Sequence, residues 1–515
     1  MEQEPARDQA GDDTDLPEQM RVRRDKRERL IGSGSSPYPV AVPRTHTLAA
    51  IRAGYDAQLA DGTLGPDSHT GDEVSVTGRV IFLRNTGKLC FARLREGDGT
   101  ELQVMLSLAD VGEQSLAEFK ADVDLGDLLA VSGEVVTSRR GELSVQAASW
   151  SLAAKALRPL PNEHNPLSDE ARVRYRYLDL IVRPEAREMV RTKATVLKSL
   201  RATLDERGYV EVETPILQLT NGGAAARPFR TRLNALDQDM LLRIALELDL
   251  KKAMIGGVDK VYEIGRIFRN EGLDSTHAAE FSMLEAYQAY GDQFTMMDLT
   301  KALVVGAAEA VGRTVVPVRG ALHGGSVDLA GDWTQASVLD LVSDAVGEQV
   351  SLGDGAATDV ATLRKYAERH GVDLQPQWGP AEIVVELFEQ LVQPGLLEPT
   401  FVMDYPAEVK PLAAPHRSRP GLNETWDLVV GGVELGMANT ELNDPVVQRE
   451  RLVAQSLLAA AGDPEAMDLD EAFLRAMEHG MPPSGGMGMG VDRLVMLLTG
   501  AGIRETILFP LLRPE

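Results

Sequence analysis

The chain has 515 residues, 43% of them apolar, and a formal net charge of −25 at pH 7, which together predict two to four domains with large buried cores. The excess of acidic residues argues against bulk attraction to nucleic acid. The sequence has no apolar run of about 18 residues, so no membrane span is expected. It also has no apolar N-terminal segment, so no signal peptide is expected. The single cysteine, Cys90, excludes an internal disulfide framework and a Cys-based zinc site, and it fits the reducing cytoplasm.

The first 30 residues divide into an acidic stretch and a basic stretch. Residues 1–19 contain seven acids and one arginine and lack apolar periodicity, which predicts a disordered acidic tail. Residues 20–30 carry six basic and two acidic side chains, and we expect residues 20–60 to form a basic helical segment. Two interpretations of its charge stay open, a solvated helix face and a helix that contacts phosphates.

Residues 61–158 have the pattern of a small β domain. Strand, turn and helix signals follow one another at 74–80 (strand), 97–99 (turn), 102–105 (strand), 115–123 (helix) and 140–142 (turn). Such short strands with glycine turns and one helical crossing predict a five-stranded barrel, a fold that often binds oligonucleotides. Basic side chains lie near Phe82 and Phe91. This combination suits the binding of a single-stranded nucleic acid, whose bases stack on aromatic rings while its phosphates contact the cations. The alternative is that the basic side chains are simply exposed and the two aromatic rings belong to the core.

The rest of the chain alternates helices and strands. A proline-containing linker is expected at 159–184, followed by a large domain at 185–515. Residues 185–207 carry apolar side chains at helical spacing and end before Gly208, which has the position of a C-cap. Residues 295–400 predict a mainly helical insertion.

Two alternating runs predict a binding face. Residues 261–268 alternate as a strand that ends at Arg269, and residues 281–287 return as a second strand. One face of this second strand then carries Phe281, Met283, Glu285 and Tyr287. A carboxylate between an aromatic ring and a phenol is unusual in a core, so this face is interpreted as the floor for a base and a cationic ligand, with a solvated face as the alternative.

A Gly-Gly turn farther along the chain predicts a hairpin that carries two acids. If Val430 pairs with Val433, Asp427 and Glu434 lie on one face, about 7–8 Å apart along a diagonal. A Mg²⁺ ion that bridges phosphates is the natural partner of two such acids, and two solvated carboxylates on an edge hairpin are the alternative. Glu441 has the wrong parity for this face unless the chain bulges near residues 436–439.

Several runs of the sequence, in their order along the chain, resemble the motifs of class II aminoacyl-tRNA synthetases, and more narrowly those of the bacterial lysyl branch. Residues 208–215 resemble motif 1, 268–271 motif 2 and 488–493 motif 3, while the runs 222–229 and 441–444 point to the lysyl branch. The resemblance extends from about residue 17 to the end. It implies an α+β fold with an N-terminal OB-type barrel for the anticodon and a catalytic six-stranded antiparallel sheet.

The resemblance also implies a function. It implies ATP-dependent activation of lysine to lysyl-adenylate and transfer to tRNA(Lys), by a cytoplasmic homodimer that uses Mg²⁺. An aspartyl- or asparaginyl-type enzyme shares the barrel and the three motifs, but the two lysyl-branch runs argue against it. A class I enzyme is disfavoured because its two signature runs are absent from the sequence.

Residue roles follow from the resemblance by position. Arg269 and Arg493 are implied as catalytic residues. The implied ATP-binding residues are Arg269, Glu271, His277, Phe281, Glu434 and Arg493. The implied amino-acid-binding residues are Gly223, Glu247, Arg269, Glu285, Tyr287 and Glu441. The implied metal ligands are Asp427 and Glu434, and the implied anticodon contacts are Arg79, Phe91, Gln103 and Glu142.

The chain departs from the usual lysyl pattern around the amino-acid pocket. The departures are Leu246, Asp249, Ala278, Ala279, Met437 and Asn439. At Asn439 the family has an aromatic residue that walls the lysine side chain, and Asp249 is a possible extra acid. Three hypotheses stay open: a lysyl enzyme with a tolerant pocket, a paralogue that activates a different cationic or related amino acid, and a non-catalytic RNA-binding relative.

Overall fold

A computed structural model describes residues 17–161, 166–272, 274, 277–318, 325–352, 357–460 and 465–513. The chain forms two compact units, residues 1–187 and 188–515. Of the predicted acidic tail, residues 1–16 lie outside the described residues, whereas residues 18 and 19 already belong to a helix. Among the described helices, none combines the length and the apolar composition needed to cross a bilayer.

The first unit contains a closed five-stranded barrel, as the turn spacing predicts. In chain order its elements are α1 (Glu18–Gly32), α2 (Leu48–Ala60), β1 (His69–Asn85), β2 (Leu89–Arg95), β3 (Glu101–Ser107), α3 (Leu108–Val111), α4 (Glu113–Asp122), β4 (Leu128–Thr137), β5 (Leu143–Ala154), α5 (Asp169–Arg174) and α6 (Arg176–Val182). The strand order around the barrel is β1-β2-β3-β5-β4. Alternate side chains of β2, such as Cys90 and Leu94, fill the core, so Phe91 and Arg93 lie on the outer surface.

Helix α1 is held against the barrel by its basic side chains. Arg23 donates to the carbonyls of Leu125 and Ala156 at 2.8 and 3.0 Å. Lys26 pairs with Asp124 at 2.7 Å, and Arg29 pairs with Asp122 at 2.8 Å. Arg23, Lys26 and Arg29 therefore make intramolecular contacts with the barrel unit, which neither interpretation of the basic helix anticipated.

The predicted linker at 159–184 differs from an irregular connector, because α5 and α6 occupy most of its second half. Ser168 caps α5 by accepting a hydrogen bond from the Ala171 amide at 3.2 Å. In α6 the buried Arg176 and Asp179 form an ion pair of 3.1 Å. These local interactions explain why a proline-rich sequence nevertheless becomes helical.

The second unit is an α+β structure built around one large, mainly antiparallel sheet. Its elements are α7 (Pro184–Glu206, which begins before the boundary), β6 (Val210–Glu211), β7 (Leu217–Gln218), β8 (Arg230–Leu233), β9 (Gln238–Leu242), α8 (Glu247–Ile255), β10 (Lys260–Phe268), β11 (Glu280–Ala289), α9 (Gln293–Ala310), β12 (Val315–Val318), β13 (Gly325–Asp328), β14 (Thr334–Ser337), α10 (Val338–Val346), α11 (Val360–His370), α12 (Pro380–Leu387), β15 (Thr400–Met403), β16 (Thr425–Val430), β17 (Val433–Thr440), α13 (Pro445–Ala460), α14 (Glu471–Met477), β18 (Ser484–Gly490), α15 (Val491–Thr499) and α16 (Ile503–Thr506).

The sheet has the strand order β14-β15-β16-β17-β18-β11-β10-β6. The six strands from β15 to β10 are paired antiparallel, as the resemblance implies, and a short parallel strand is added at each edge. Helices α7, α9 and α15 bury one face of the sheet in the main hydrophobic core. Two smaller hydrophobic clusters, one around α8 and α14 and one around α10–α12, pack against parts of the other face. This face also carries the polar side chains described below.

The predicted helical insertion at 295–400 is only partly helical. Helices α9, α10, α11 and α12 lie in this range, but so do strands β12, β13 and β14. Strand β14 pairs with β15 and thereby extends the main sheet. This segment is therefore partly an extension of the main sheet, which an apolar composition alone does not reveal.

Candidate active site

A cavity of about 550 Å³ opens on the face of the sheet that α7, α9 and α15 leave free. Strand β11 forms its floor, because Phe281, Met283, Glu285 and Tyr287 all line it, as their alternation predicts. The cavity also brings together most of the other predicted residues, namely Gly223, Glu247, Arg269, Glu271, His277, Glu434, Glu441 and Arg493. Glu285 and Tyr287 are each only 3% exposed, so the solvated-face alternative is wrong.

Arg269 lies directly after β10, where the strand pairing with β11 ends. Its Cζ atom lies 5.4 Å from the centroid of the Phe281 ring, and its Nε donates to the Ile244 carbonyl at 3.3 Å. Burial lowers the pKa of Arg269 from its ordinary value, while Glu271 and Glu434 oppose that shift. A guanidinium beside an aromatic face offers donors for a carboxylate or a phosphate and a ring for a base.

Arg493 lies in the first turn of α15, next to the glycine-rich strand β18. Its Nη1 donates to the backbone carbonyl of Glu434 at 2.8 Å and lies 3.8 Å from the Glu434 carboxylate. Glu271 and His277 lie at the exposed rim, where the His277 ring contacts the Asp274 carboxylate at 2.8 Å. The cavity therefore has one end rich in arginine and open to solvent, which we call the phosphate end.

The acidic hairpin has the predicted register at its turn. Val430 pairs with Val433, and Glu434 is opposite Val429. The register shifts between the pairs Val429–Glu434 and Leu428–Gly436, so Leu435 forms a bulge. This bulge lies one residue before residues 436–439, the segment named in the sequence analysis. Because of this bulge, Glu441 and Glu434 both line the cavity.

Asp427 has a partner that sequence reasoning missed. Lys410 Nζ lies 2.9 and 3.1 Å from the two carboxylate oxygens of Asp427. Lys410 also lies over the Tyr405 ring, at 4.8 Å from its centroid. Within the described part of the chain, no group of three or more His, Cys, Asp or Glu side chains has an arrangement that could hold a metal ion.

Three acids gather at the opposite end of the cavity, which we call the amino-acid end. Glu285 accepts hydrogen bonds from the Leu246 amide at 2.9 Å and from the Tyr287 hydroxyl at 3.1 Å. Burial, and then the charge of Glu247, raises the pKa of Glu285 to about 7. Burial also raises the pKa of Glu441 to about 8, although Lys251 opposes the shift.

Lys251 is a second lysine that sequence reasoning missed. Its Nζ lies 2.6 Å from Glu247 and 2.5 Å from Glu441, and its side chain is fully buried. Burial disfavours its charge, but the two carboxylates outweigh burial and raise its pKa. The spacing of Glu247 and Lys251, four residues apart on α8, is the signal that could have identified this contact.

Glycines let the backbone approach this end closely. A Cβ atom at Gly486 would overlap both the Glu441 carboxylate and the Tyr287 ring. Gly223 has φ +86°, and a Cβ atom there would lie 3.0 Å from Ala245 and 3.3 Å from Glu247. A side chain at Gly486 therefore requires movement of Glu441 and Tyr287, and a side chain at Gly223 is strained by the positive φ.

The departures from the lysyl pattern lie at different depths. Asp249 accepts a hydrogen bond from Gln218 at 2.9 Å and pairs with Lys252 at 3.2 Å, and it does not line the cavity. Met437 and Asn439 do line it, and Asn439 accepts a hydrogen bond from Thr425 at 2.7 Å. Leu246 is buried beneath Glu285, so it shapes the pocket through its backbone amide.

The barrel carries the four predicted anticodon residues on its outer surface. Phe91 and Gln103 lie on the outward faces of β2 and β3, and Gln103 donates to Ser144 at 2.9 Å. Glu142 lies 3.6 Å from Arg93, the residue opposite Gln103. Arg79 donates to the Gly126 carbonyl at 2.7 Å, so its guanidinium already has a structural contact.

Comparisons with known proteins agree with this geometry. The family described as "tRNA synthetases class II (D, K and N)" matches residues 168–513, and the one described as "OB-fold nucleic acid binding domain" matches residues 74–153. Curated relatives include lysine–tRNA ligases from Kineococcus radiotolerans (54% identical over 503 residues) and Mycobacterium tuberculosis (53% over 509 residues). Each alignment covers 97% of this chain and 98% of the relative. These findings confirm the resemblance and the fold class.

Proposed function

Because the chain belongs to the class II tRNA synthetases, in the group of the aspartyl, lysyl and asparaginyl enzymes, we propose that it activates lysine with ATP and transfers it to tRNA(Lys). The lysine–tRNA ligases that it resembles cover nearly its full length, which supports this substrate. The comparisons give no support to a different amino acid or to a non-catalytic relative.

Charge balance at the amino-acid end carries the proposal. Glu247, Glu285 and Glu441 bring three negative charges when ionised, and Lys251 brings one positive charge, which leaves two negative charges. Lysine has two ammonium groups, and its carboxylate is left for Arg269. A neutral side chain of equal length would leave a buried carboxylate without a partner, which is strongly unfavourable.

The reaction needs positioning more than proton transfer. The lysine carboxylate attacks the α-phosphorus of ATP, the bond to the β-phosphate breaks, and pyrophosphate leaves. The nucleophile is already an anion, so no general base is required, and Arg269 and Arg493 stabilise the charge on the phosphates. A ribose hydroxyl of the tRNA 3′ end then attacks the carbonyl carbon, AMP leaves, and the hydroxyl proton passes to solvent.

Phe281 is proposed to stack on the adenine, with Glu271 and His277 at the rim beside the nucleotide. Gly223 is proposed to leave room for the α-amino group, close to Glu247 and Glu285. Tyr287 is proposed to meet the ε-ammonium together with Glu441.

Mg²⁺ is the metal that the family implies. A site made from both Asp427 and Glu434 does not fit, since both oxygens of Asp427 already contact Lys410. Glu434, with a side chain 45% exposed, remains accessible. Mg²⁺ would therefore enter this site as part of the MgATP substrate, beside Glu434.

Further partners follow from the proposed activity. The outer surface of the barrel, with Phe91, Gln103, Glu142 and Arg79, is proposed to contact the anticodon of the tRNA. Assembly as a homodimer through the motif 1 region, and location in the cytoplasm, are proposed from the family resemblance. The buried, unpaired thiol of Cys90 is compatible with such a reducing compartment.

Amino-acid-dependent exchange of pyrophosphate into ATP tests the proposal directly. We expect exchange with lysine, far weaker exchange with ornithine and arginine, and none with norleucine or aspartate. The variant Arg269→Ala is the control for the active site and should lose exchange. If exchange is faster with ornithine than with lysine, lysine is not the substrate. If no amino acid supports exchange, the proposed activity is refuted.

A further inference from the structure

A partly buried lysine lies where the family resemblance places a metal ion. Lys410 is on the loop before β16, and its Nζ contacts both carboxylate oxygens of Asp427, at 2.9 and 3.1 Å. The Lys410 side chain is 21% exposed and that of Asp427 is 13% exposed, so little water surrounds the pair. Tyr405 closes one side of the ammonium, with its ring centroid at 4.8 Å.

This contact conflicts with a two-carboxylate metal site. Mg²⁺ requires oxygen ligands at about 2.0–2.1 Å and tolerates little distortion. An ammonium that contacts both oxygens of Asp427 takes up two of the roughly four lone-pair positions of the carboxylate, and it repels a second cation at the same place. A metal ion bound to Asp427 is therefore electrostatically disfavoured while Lys410 stays in this position.

Glu434 differs from Asp427 in its accessibility. Its carboxylate lies 3.8 Å from Arg493, and 45% of its side chain is exposed. Mg²⁺ in nucleotide sites is commonly bound by one or two carboxylates together with phosphates and water. One exposed carboxylate, Glu434, is enough to receive the ion that enters with ATP.

We propose that Lys410 is a resident cation that replaces a second divalent ion at the phosphate end, an inference that rests on the proposed function. In this role Lys410 is a positioning residue: it neutralises Asp427, which would otherwise repel the phosphates. It forms no bond to ATP and transfers no proton. The site then needs only the single metal ion of MgATP.

Counting bound Mn²⁺ tests this inference without relying on turnover. Electron paramagnetic resonance of free Mn²⁺, titrated into the full-length protein with a non-hydrolysable ATP analogue, gives the number of ions per active site. We expect one ion in the wild-type protein. In Lys410→Ser, two uncompensated acids become available, so we expect two ions.

Two further variants serve as controls. Lys301 also lies over an aromatic ring, with its Nζ 5.6 Å from the Trp333 centroid, but outside the cavity, so Lys301→Ser should keep one ion. Adding Asp427→Asn to Lys410→Ser should return the count to one. In a second assay, pyrophosphate exchange at saturating MgATP should be independent of free Mg²⁺ in the wild type and become activated by free Mg²⁺ in Lys410→Ser.

The outcomes separate the two proposals. Two nucleotide-dependent ions in the wild-type protein, or an unchanged count of one in Lys410→Ser, would overturn the role of Lys410 and leave the proposed function intact. No Mn²⁺ bound with the analogue would overturn the nucleotide site itself. The wild-type count needs no variant, so a failure of Lys410→Ser to fold does not leave the question open.

Discussion

Replacing Lys251 by methionine should destabilise the catalytic unit in a pH-dependent way. Methionine keeps the length and apolar stem of the lysine but removes the ammonium that lies 2.6 Å from Glu247 and 2.5 Å from Glu441. Removing one partner of a buried ion pair costs about 3–5 kcal/mol, because the remaining charge has neither water nor a counter-ion. We therefore expect a loss of about 3–5 kcal/mol at pH 9, where Glu441 is ionised.

The loss should be smaller at low pH. The folded-state pKa of Glu441, about 8, lies above the value of an exposed glutamate, so the folded protein holds a proton there that the unfolded chain releases. Stability from this group is thus greatest at low pH and falls as the pH rises through about 8. Without Lys251 the carboxylate is still harder to ionise. The difference between variant and wild type should therefore grow by at least about 1 kcal/mol from pH 6 to pH 9.

Thermal unfolding followed by tryptophan fluorescence measures this loss of stability, since Trp426 is fully buried on β16 in the main sheet of the second unit. A loss of about 3–5 kcal/mol corresponds to a Tm decrease of roughly 6–10 °C. The neighbouring Lys252, 32% exposed and 3.2 Å from Asp249, is the matched control, and Lys252→Met should cost less than about 1 kcal/mol. Equal losses in the two variants, or a loss at Lys251 that does not change with pH, would refute the reasoning.

Three other predictions concern function. The KM for lysine should fall about tenfold between pH 6 and 8, because Glu285, with a pKa of about 7, must lose its proton to receive an ammonium; a flat profile would exclude this coupling. Gly486→Ala should abolish lysine-dependent exchange while Gly488→Ala, whose Cβ would lie 3.3 Å from the flexible Met283 end, has a smaller effect, and equal effects in the exchange assay would contradict the close approach. Phe91→Ala and Gln103→Ala should leave adenylate formation intact and weaken tRNA charging, and a parallel loss of both activities would count against an anticodon role.

The sequence predicts much of the fold because its signals are local. Alternation places Phe281 and Glu285 on one face of β11, and the Gly-Gly turn sets the register of Val430 with Val433. The bulge at Leu435 has no comparable local signal. Its position depends on how β17 pairs with two neighbours at once, which a sequence pattern does not record.

The two lysines Lys251 and Lys410 illustrate a different limit. Lys251 is four residues from Glu247 on α8, so helical spacing could have revealed one of its contacts. It could not have revealed the pairing with Glu441, which directly follows β17. Lys410 comes from a loop 17 residues before Asp427, and no periodicity links the two. Tertiary contacts between distant elements therefore determine the charge of the site, even where its acids are evident in the sequence.

Together, these lysines explain how one cavity can hold so many acids. At the amino-acid end Lys251 compensates one of three carboxylates, and at the phosphate end Lys410 compensates Asp427. When the acids are ionised, two negative charges remain uncompensated at the amino-acid end, and the accessible Glu434 remains at the phosphate end. The first set matches the two ammonium groups of lysine, and Glu434 matches a metal ion that arrives with ATP. Since each resident cation removes charge that would otherwise attract small cations from solution, the cavity is selective for ligands that bring the remaining charges in the right places.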